Sequence, residues 1–71
     1  MPRIYMFHNT RLVMKVNRLC TQAQFPIRVV PTPHEYSSEC GMSIEVEAAD
    51  DEAFNKLLTT HHVEYTAVMD K

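Results

Sequence analysis

The chain has 71 residues, enough for a single small domain, and we expect residues 1–71 to fold as one unit with a modest core. A formal charge of -2 and the scattering of its Lys and Arg residues exclude a basic surface for phosphates, so we expect no nucleic-acid partner. No apolar run approaches the ~18–20 residues that cross a bilayer, and two cysteines are too few for a disulfide-stapled secreted scaffold, so the sequence predicts a cytoplasmic protein without a membrane partner.

The first part of the chain has the pattern of a strand, a helix and a second strand. Residues 3–8 are rich in β-favouring side chains and predict the first strand. Thr10 is predicted to cap a helix whose apolar residues recur on one face up to an end near Gln24. Residues 26–30 predict the second strand, with a proline first, where a missing backbone donor does least harm.

The second part repeats this order after an irregular connection. Residues 31–41, PTPHEYSSECG, hold two prolines and the only glycine of the chain, which is typical of a rigid polar connection. The alternation in Met42–Val46 predicts a strand, and the acidic residues 50–52 favour the start of a second helix that continues to His61. Residues 64–69 predict the last strand.

This βαββαβ order predicts an α+β, ferredoxin-like fold, in which a four-stranded antiparallel sheet carries both helices on one face. The alternative arrangement is a homodimer in which a second copy covers the open sheet face. Tyr5 and Phe7 are the side chains we expect on that open face.

The predicted topology brings several reactive or polar side chains to one end of the sheet. They are His8, Thr10, His34, Cys40, His61 and His62. Cys20 falls at the opposite end, on the apolar face of the first helix, so we expect it in the core. A disulfide with Cys40 is not expected, because bridged Cα atoms must lie within roughly 7 Å.

Cys40 is the candidate reactive group, since it is predicted to lie beside the N-terminus of the first helix, where partial positive charge favours a thiolate. A protonated histidine nearby would lower the pKa of the thiol further, and Gly41 would allow a positive φ or the close approach of a bound group. Cys40 as an ordinary loop residue remains the alternative. Ser37 and Ser38 lack a base at triad-like spacing and are expected to satisfy loop backbone groups.

Neither a metal nor a cofactor is expected from the sequence. The histidines and Cys40 lack the short, regular ligand spacing of zinc motifs. Glycine-rich phosphate loops are absent, which argues against nucleotide chemistry. An enzyme acting alone is not expected either, because no acid–base pair stands out.

The run IRVVPTPHEYSSECGMSIEV resembles the hallmark of the putative selenium or sulfur carrier protein-like family, and FHNT, FPIRVVPTP, SSECG and VEYTAV extend the resemblance over about residues 7–69. The resemblance implies a protein that receives sulfur or selenium from a donor protein on Cys40, as a persulfide or selenosulfide, and passes it to an acceptor protein. The family's serine pair falls on Ser37 and Ser38. His34 stands where the family pattern has a basic residue, often arginine. Thr10 and the two serines would solvate the anionic terminal atom.

Two other functions remain open at this point. A binding or regulatory module would hold a small ligand or a protein and would not need Cys40. A thiol redox sensor would form a mixed disulfide on Cys40 under mild oxidation, without a dedicated sulfur donor.

Overall fold

The computed structural model describes residues 1–36 and 41–71. The elements are β1 (Arg3–Met6), α1 (Thr10–Gln22), β2 (Arg28–Pro31), β3 (Met42–Val46), a 3₁₀ turn (Ala48–Asp50), α2 (Asp51–Thr60) and β4 (Ala67–Asp70). The four strands are ordered β2-β3-β1-β4, and every neighbouring pair is antiparallel. This is the ferredoxin-like arrangement, so the predicted fold class is confirmed.

The aromatic side chains of the first strand segment lie on the face of the sheet that the helices cover. Tyr5 and Phe7 are fully buried in one cluster with side chains from both helices, including Val16 and Phe54. The expectation that Tyr5 and Phe7 lie on the open face is therefore wrong. Both faces of this strand are apolar, so the helices, which bury the larger aromatic surface, decide which side becomes the core.

The opposite face of the sheet is also shielded at its centre. Ile4 is 6% exposed and Met6 is 2% exposed, and Glu45 on the neighbouring strand is 5% exposed. The Glu45 carboxylate accepts from Lys71 Nζ at 3.0 Å, and Arg28 Nη1 lies 3.8 Å away. Because these apolar side chains are already buried in a single chain, they offer a second copy little further burial.

Helix α1 begins one residue earlier than the sequence indicated. Asn9 is the N-cap, with an extended backbone and a side-chain oxygen that accepts from the Leu12 amide at 2.9 Å. Thr10 is the first helical residue, so its predicted capping role is wrong. An asparagine oxygen at this position reaches the amide three residues ahead, which is the geometry of an N-cap.

Both helices end in the same hydrogen-bonded motif. After α1, the Phe25 amide donates to the Cys20 carbonyl at 2.8 Å, and Gln24 adopts a φ of 55°. After α2, the Val63 amide donates to the Leu58 carbonyl at 2.9 Å, and His62 adopts a φ of 57°. These are Schellman motifs with a left-handed residue that is not glycine.

We expect Gln24→Gly and His62→Gly each to stabilise the fold by about 0.5–1 kcal/mol, because glycine adopts a positive φ without the penalty that a side chain carries. The measurement is the denaturant concentration at the midpoint of unfolding, with the dependence of the free energy of unfolding on denaturant unchanged. Gln22→Gly is the matched control, since Gln22 is helical and the change should destabilise. A loss of stability in both Gln24→Gly and His62→Gly would contradict the assignment of these two residues as left-handed ends of Schellman motifs.

The bounds of three strands differ from those predicted. β1 ends at Met6 rather than at residue 8. β2 runs over Arg28–Pro31 rather than residues 26–30, because the motif that ends α1 occupies the chain up to Phe25. β4 begins at Ala67 rather than at residue 64. Within residues 1–36 and 41–71, no helix is long and apolar enough to cross a bilayer.

Candidate functional site

One end of the sheet collects the chain segments that the sequence had placed together. β1 and β2 finish there, β3 and β4 start there, α1 begins there and α2 ends there. The candidate side chains that the structure describes at this end are all exposed: His8, Thr10, His34, His61 and His62. In the described part of the chain, no hydrogen bond or ion pair links these side chains to one another.

The remaining candidates, Ser37, Ser38 and Cys40, lie outside the described residues. Their proposed roles therefore stay predictions. The structure does describe the two chain segments that flank them, which end at Tyr36 and resume at Gly41. The Tyr36 amide donates to the Pro33 carbonyl at 3.1 Å, which forms a turn on the first side.

Gly41 is the first described residue after the candidate thiol. Its φ depends on the carbonyl carbon of Cys40, which lies outside the described residues, so the positive φ stays a prediction. A Cβ placed on Gly41 would meet no atom of the described residues within 4 Å. Its carbonyl accepts from the Thr32 amide at 2.9 Å. The approach of a bound group to Gly41 remains a prediction.

Cys20 belongs to the core, as its place on the apolar face of α1 predicted. Its side chain is fully buried beside Val16 and Phe54, and its thiol is free. Burial raises the pKa of the Cys20 thiol, because the interior disfavours the thiolate. Cys20 therefore has neither the access nor the ionisation that thiol exchange requires.

A polar cluster that the sequence analysis missed lies at the opposite end of the sheet, where β1 meets α2. The Tyr5 hydroxyl donates to Asp51 Oδ1, and Asn55 Nδ2 donates to the Tyr5 oxygen at 2.8 Å. Arg3 Nη1 donates to Asp51 Oδ2 at 2.8 Å. Arg3 Nε is 3.2 Å from Asp70 Oδ1 but is buried without a hydrogen bond, so we treat that contact as ionic only.

The environment of Tyr5 changes its acidity. Burial, followed by the hydrogen bond to Asp51, raises the pKa of Tyr5 to about 12. The ring also contacts Phe54 and Tyr65, each with a centroid distance of 4.9 Å. Because the hydroxyl is enclosed and paired with a carboxylate, this cluster joins a strand to a helix rather than presenting a reactive group.

The described residues hold no group of three or more His, Cys, Asp or Glu side chains arranged to bind a metal ion. This finding does not extend to combinations that include Cys40.

A family model described as putative Se/S carrier protein-like matches residues 3–70. The resemblance found over about residues 7–69 is thereby confirmed. No curated protein and no solved structure matches the chain.

Proposed function

Because the chain belongs to the putative Se/S carrier protein-like family, we propose that it holds sulfur or selenium on the Cys40 thiol and passes it to an acceptor protein. The donor is also a protein. The compartment is the cytoplasm, where thiols remain reduced between transfer steps. The protein acts as a carrier and not as a stand-alone catalyst.

The burial of Cys20 is the observation that supports Cys40 most strongly. The chain contains two cysteines, and a sulfur carrier needs a thiol that a partner can reach. Cys20 is fully buried, and the pKa of its thiol is raised. Among the cysteines of this chain, the carrier role therefore falls to Cys40.

The end of the sheet at which α1 begins has features that suit an anionic sulfur. The N-terminus of α1 supplies partial positive charge, and Thr10 is exposed at its first position. We assign supporting roles to Thr10 and His34, and to Ser37 and Ser38 on the basis of the family pattern. His8 and His61 are additional candidates for favouring the thiolate through their charge when protonated.

The proposed loading step needs no outside oxidant or reductant. The Cys40 thiolate attacks the terminal sulfur of a donor persulfide, R–S–SH, and the donor S–S bond breaks as the new S–S bond forms. The donor leaves as R–S⁻ and the carrier becomes Cys40–S–SH. Attack by an acceptor thiolate on the terminal sulfur repeats the exchange and regenerates the Cys40 thiolate.

Intact-mass analysis after incubation with a cysteine desulfurase and cysteine tests this proposal. We expect the wild-type protein to gain about 32 Da per sulfur, and the gain to disappear on reduction. Cys40→Ser should abolish the adduct. Cys20→Ala is the matched control and should retain it.

The other outcomes favour different functions. An adduct that forms with oxidised glutathione but not with the desulfurase would favour a redox sensor. The absence of any adduct on Cys40 would contradict the carrier function and favour a binding module. A homodimer through the face of Ile4 and Met6 is not part of the proposal, because these side chains are already buried.

A further inference from the structure

Helix α1 carries a row of basic side chains on the side that faces away from the sheet. The residues that α1 buries lie on one side of it: Val13, Val16 and Cys20. With about 3.6 residues per turn, Arg11, Lys15 and Arg18 fall on the opposite side, in one row along the helix. Arg11 and Arg18 are exposed, and Lys15 is half-buried. We call these three residues the α1 stripe.

No acidic side chain offsets the α1 stripe within its own helix. Helix α1 contains no Asp or Glu, and all nine acidic residues of the chain lie outside it. Arg3, Arg28 and Lys71, by contrast, each form an ion pair with a carboxylate. Within residues 1–36 and 41–71, the side chains of the stripe form neither an ion pair nor a hydrogen bond. Their positive charge is therefore uncompensated in this part of the chain.

The charges of the α1 stripe do not support the helix itself. Arg11 lies in the first turn of α1, where the partial positive charge of the helix N-terminus repels a cation. Lys15 is four residues from Arg11 and three from Arg18, so these like charges are neighbours on the helix surface and repel one another. A helix surface that served only stability and solubility would gain from charges of alternating sign. Since the stripe works against the stability of its helix, it indicates a role in binding.

We infer that the α1 stripe binds an acidic surface of the protein that donates sulfur to this chain. Helix α1 begins at the end of the sheet where β2 finishes and β3 starts. A donor that docks along α1 therefore lies at the end of the sheet that the connection between β2 and β3 leaves and rejoins. The inference rests on the proposed carrier function, and it names the surface that the donor recognises.

An acidic protein surface fits the α1 stripe better than a membrane or a nucleic acid does. A helix that lies on a membrane inserts an apolar face, whereas the apolar face of α1 packs on the core and its exposed side carries a single large apolar residue, Met14. Nucleic-acid binding depends on phosphate contacts, and three cations on a chain of net charge -2 supply few of them. A protein needs only a few facing carboxylates, and their attraction raises the rate of association.

The test measures the rate at which Cys40 gains sulfur from a cysteine desulfurase and cysteine, at several desulfurase and salt concentrations. The triple variant Arg11→Gln/Lys15→Gln/Arg18→Gln should lower the second-order rate constant of loading roughly 10-fold at low salt. The rate at saturating desulfurase should stay unchanged, because the stripe acts on association. The difference should vanish near ~1 M salt, where charges are screened beyond about 3 Å. In chemical unfolding, the triple variant should be at least as stable as the wild type, since it removes repulsion within α1.

Lys56→Gln is the matched control for the single variant Arg18→Gln. Lys56 is an exposed cation of α2 that forms no ion pair with any other described residue. We expect Arg18→Gln to slow loading roughly 2- to 5-fold and Lys56→Gln to leave it unchanged. Equal effects of the two variants would show that only net charge matters, and would overturn the inference. If the triple variant loads normally but no longer binds vesicles of phosphatidylserine and phosphatidylcholine, or a DNA duplex, the partner is not an acidic protein and the inference is wrong.

The carrier function and the docking of the donor fail in different ways. Glutathione persulfide is a small donor that needs no docking surface, so it should load the wild type and the triple variant at equal rates. If it loads neither, the carrier function fails, and the affinity of Cys40→Ser for the desulfurase, with and without the stripe, still measures the docking. If glutathione persulfide loads both and the desulfurase loads the wild type no faster than the triple variant, the carrier function stands and the docking inference is wrong.

Discussion

Asp51→Ala is expected to destabilise the fold by about 1.5–3 kcal/mol, the range for a hydrogen bond to a charged group. The enclosed Tyr5 hydroxyl would lose its carboxylate partner and keep only Asn55. The Arg3 contact with Asp51 lies near the surface and contributes little. A core of this size rarely supplies more than ~3–5 kcal/mol net, so the loss would approach the whole stability. Chemical unfolding measures the change.

Asp50→Ala is the matched control for this prediction. Asp50 precedes Asp51 at the start of α2, but its side chain makes no capping hydrogen bond. Asp51→Asn should fall between the two, since an amide oxygen can still accept from Tyr5 without the charge. Equal effects of Asp50→Ala and Asp51→Ala would show that negative charge at the helix N-terminus, and not the contact with Tyr5, provides the stability.

The second expected result is a loss of roughly 2–3 kcal/mol of stability as the pH rises from 10 to 12. The pKa of Tyr5 in the folded protein is raised to about 12, from an ordinary value of 10.0. Below pH 10 both states hold the proton, and the contribution is complete. Between pH 10 and 12 the unfolded chain loses the proton first, so unfolding becomes favoured.

Unfolding free energies measured in steps of pH, in a Cys20→Ala background, test this result. The background is needed because burial also raises the pKa of the Cys20 thiol. The stability that the protonated Cys20 thiol contributes is therefore lost at alkaline pH as well. Tyr5→Phe removes the ionising hydroxyl and should flatten the profile. If the free energy of unfolding falls with pH as steeply in Tyr5→Phe as in the background, Tyr5 is excluded as the cause.

The order of the elements could be predicted because apolar periodicity reports local burial. Met42–Val46 alternates and forms a strand with the predicted bounds. The start of β4 was predicted too early because the residues before it are held by other contacts. Tyr65 packs edge-on against Tyr5, and Thr66 donates twice to the Met6 carbonyl before the ladder begins.

The face assignment of β1 and the cluster around Asp51 could not be predicted in the same way. All residues of the chain from Ile4 to Phe7 are apolar or aromatic, so alternation is absent and only the docking of the helices decides the core side. Tyr5 and Asp51 are 46 positions apart, and their contact depends on where α2 begins. The hydroxyl of Tyr5, on a strand whose two faces are both apolar, was the available signal, because a polar group that becomes buried requires a partner.

Some features of the candidate site could also be predicted from the sequence, and others could not. Its location at one end of the sheet follows from the topology, and the burial of Cys20 follows from helical periodicity. Thr32, whose amide donates to the Gly41 carbonyl, also contacts Ser43 through its hydroxyl, and this contact depends on the register of β2 against β3. A one-residue change of register would place these side chains on different faces, so the sequence pattern could not define the pair.

Site-resolved mass spectrometry of the loaded protein, before and after addition of an acceptor thiol, tests the carrier function most directly. Trypsin separates the cysteines, since Cys20 falls within residues 19–28 and Cys40 within residues 29–56. With thiols and persulfides alkylated at the end of each incubation, the carrier account predicts that the peptide of residues 29–56 carries about 32 Da of added sulfur before the acceptor is added and loses it afterwards. Sulfur on the peptide of residues 19–28, or on neither peptide, would contradict it.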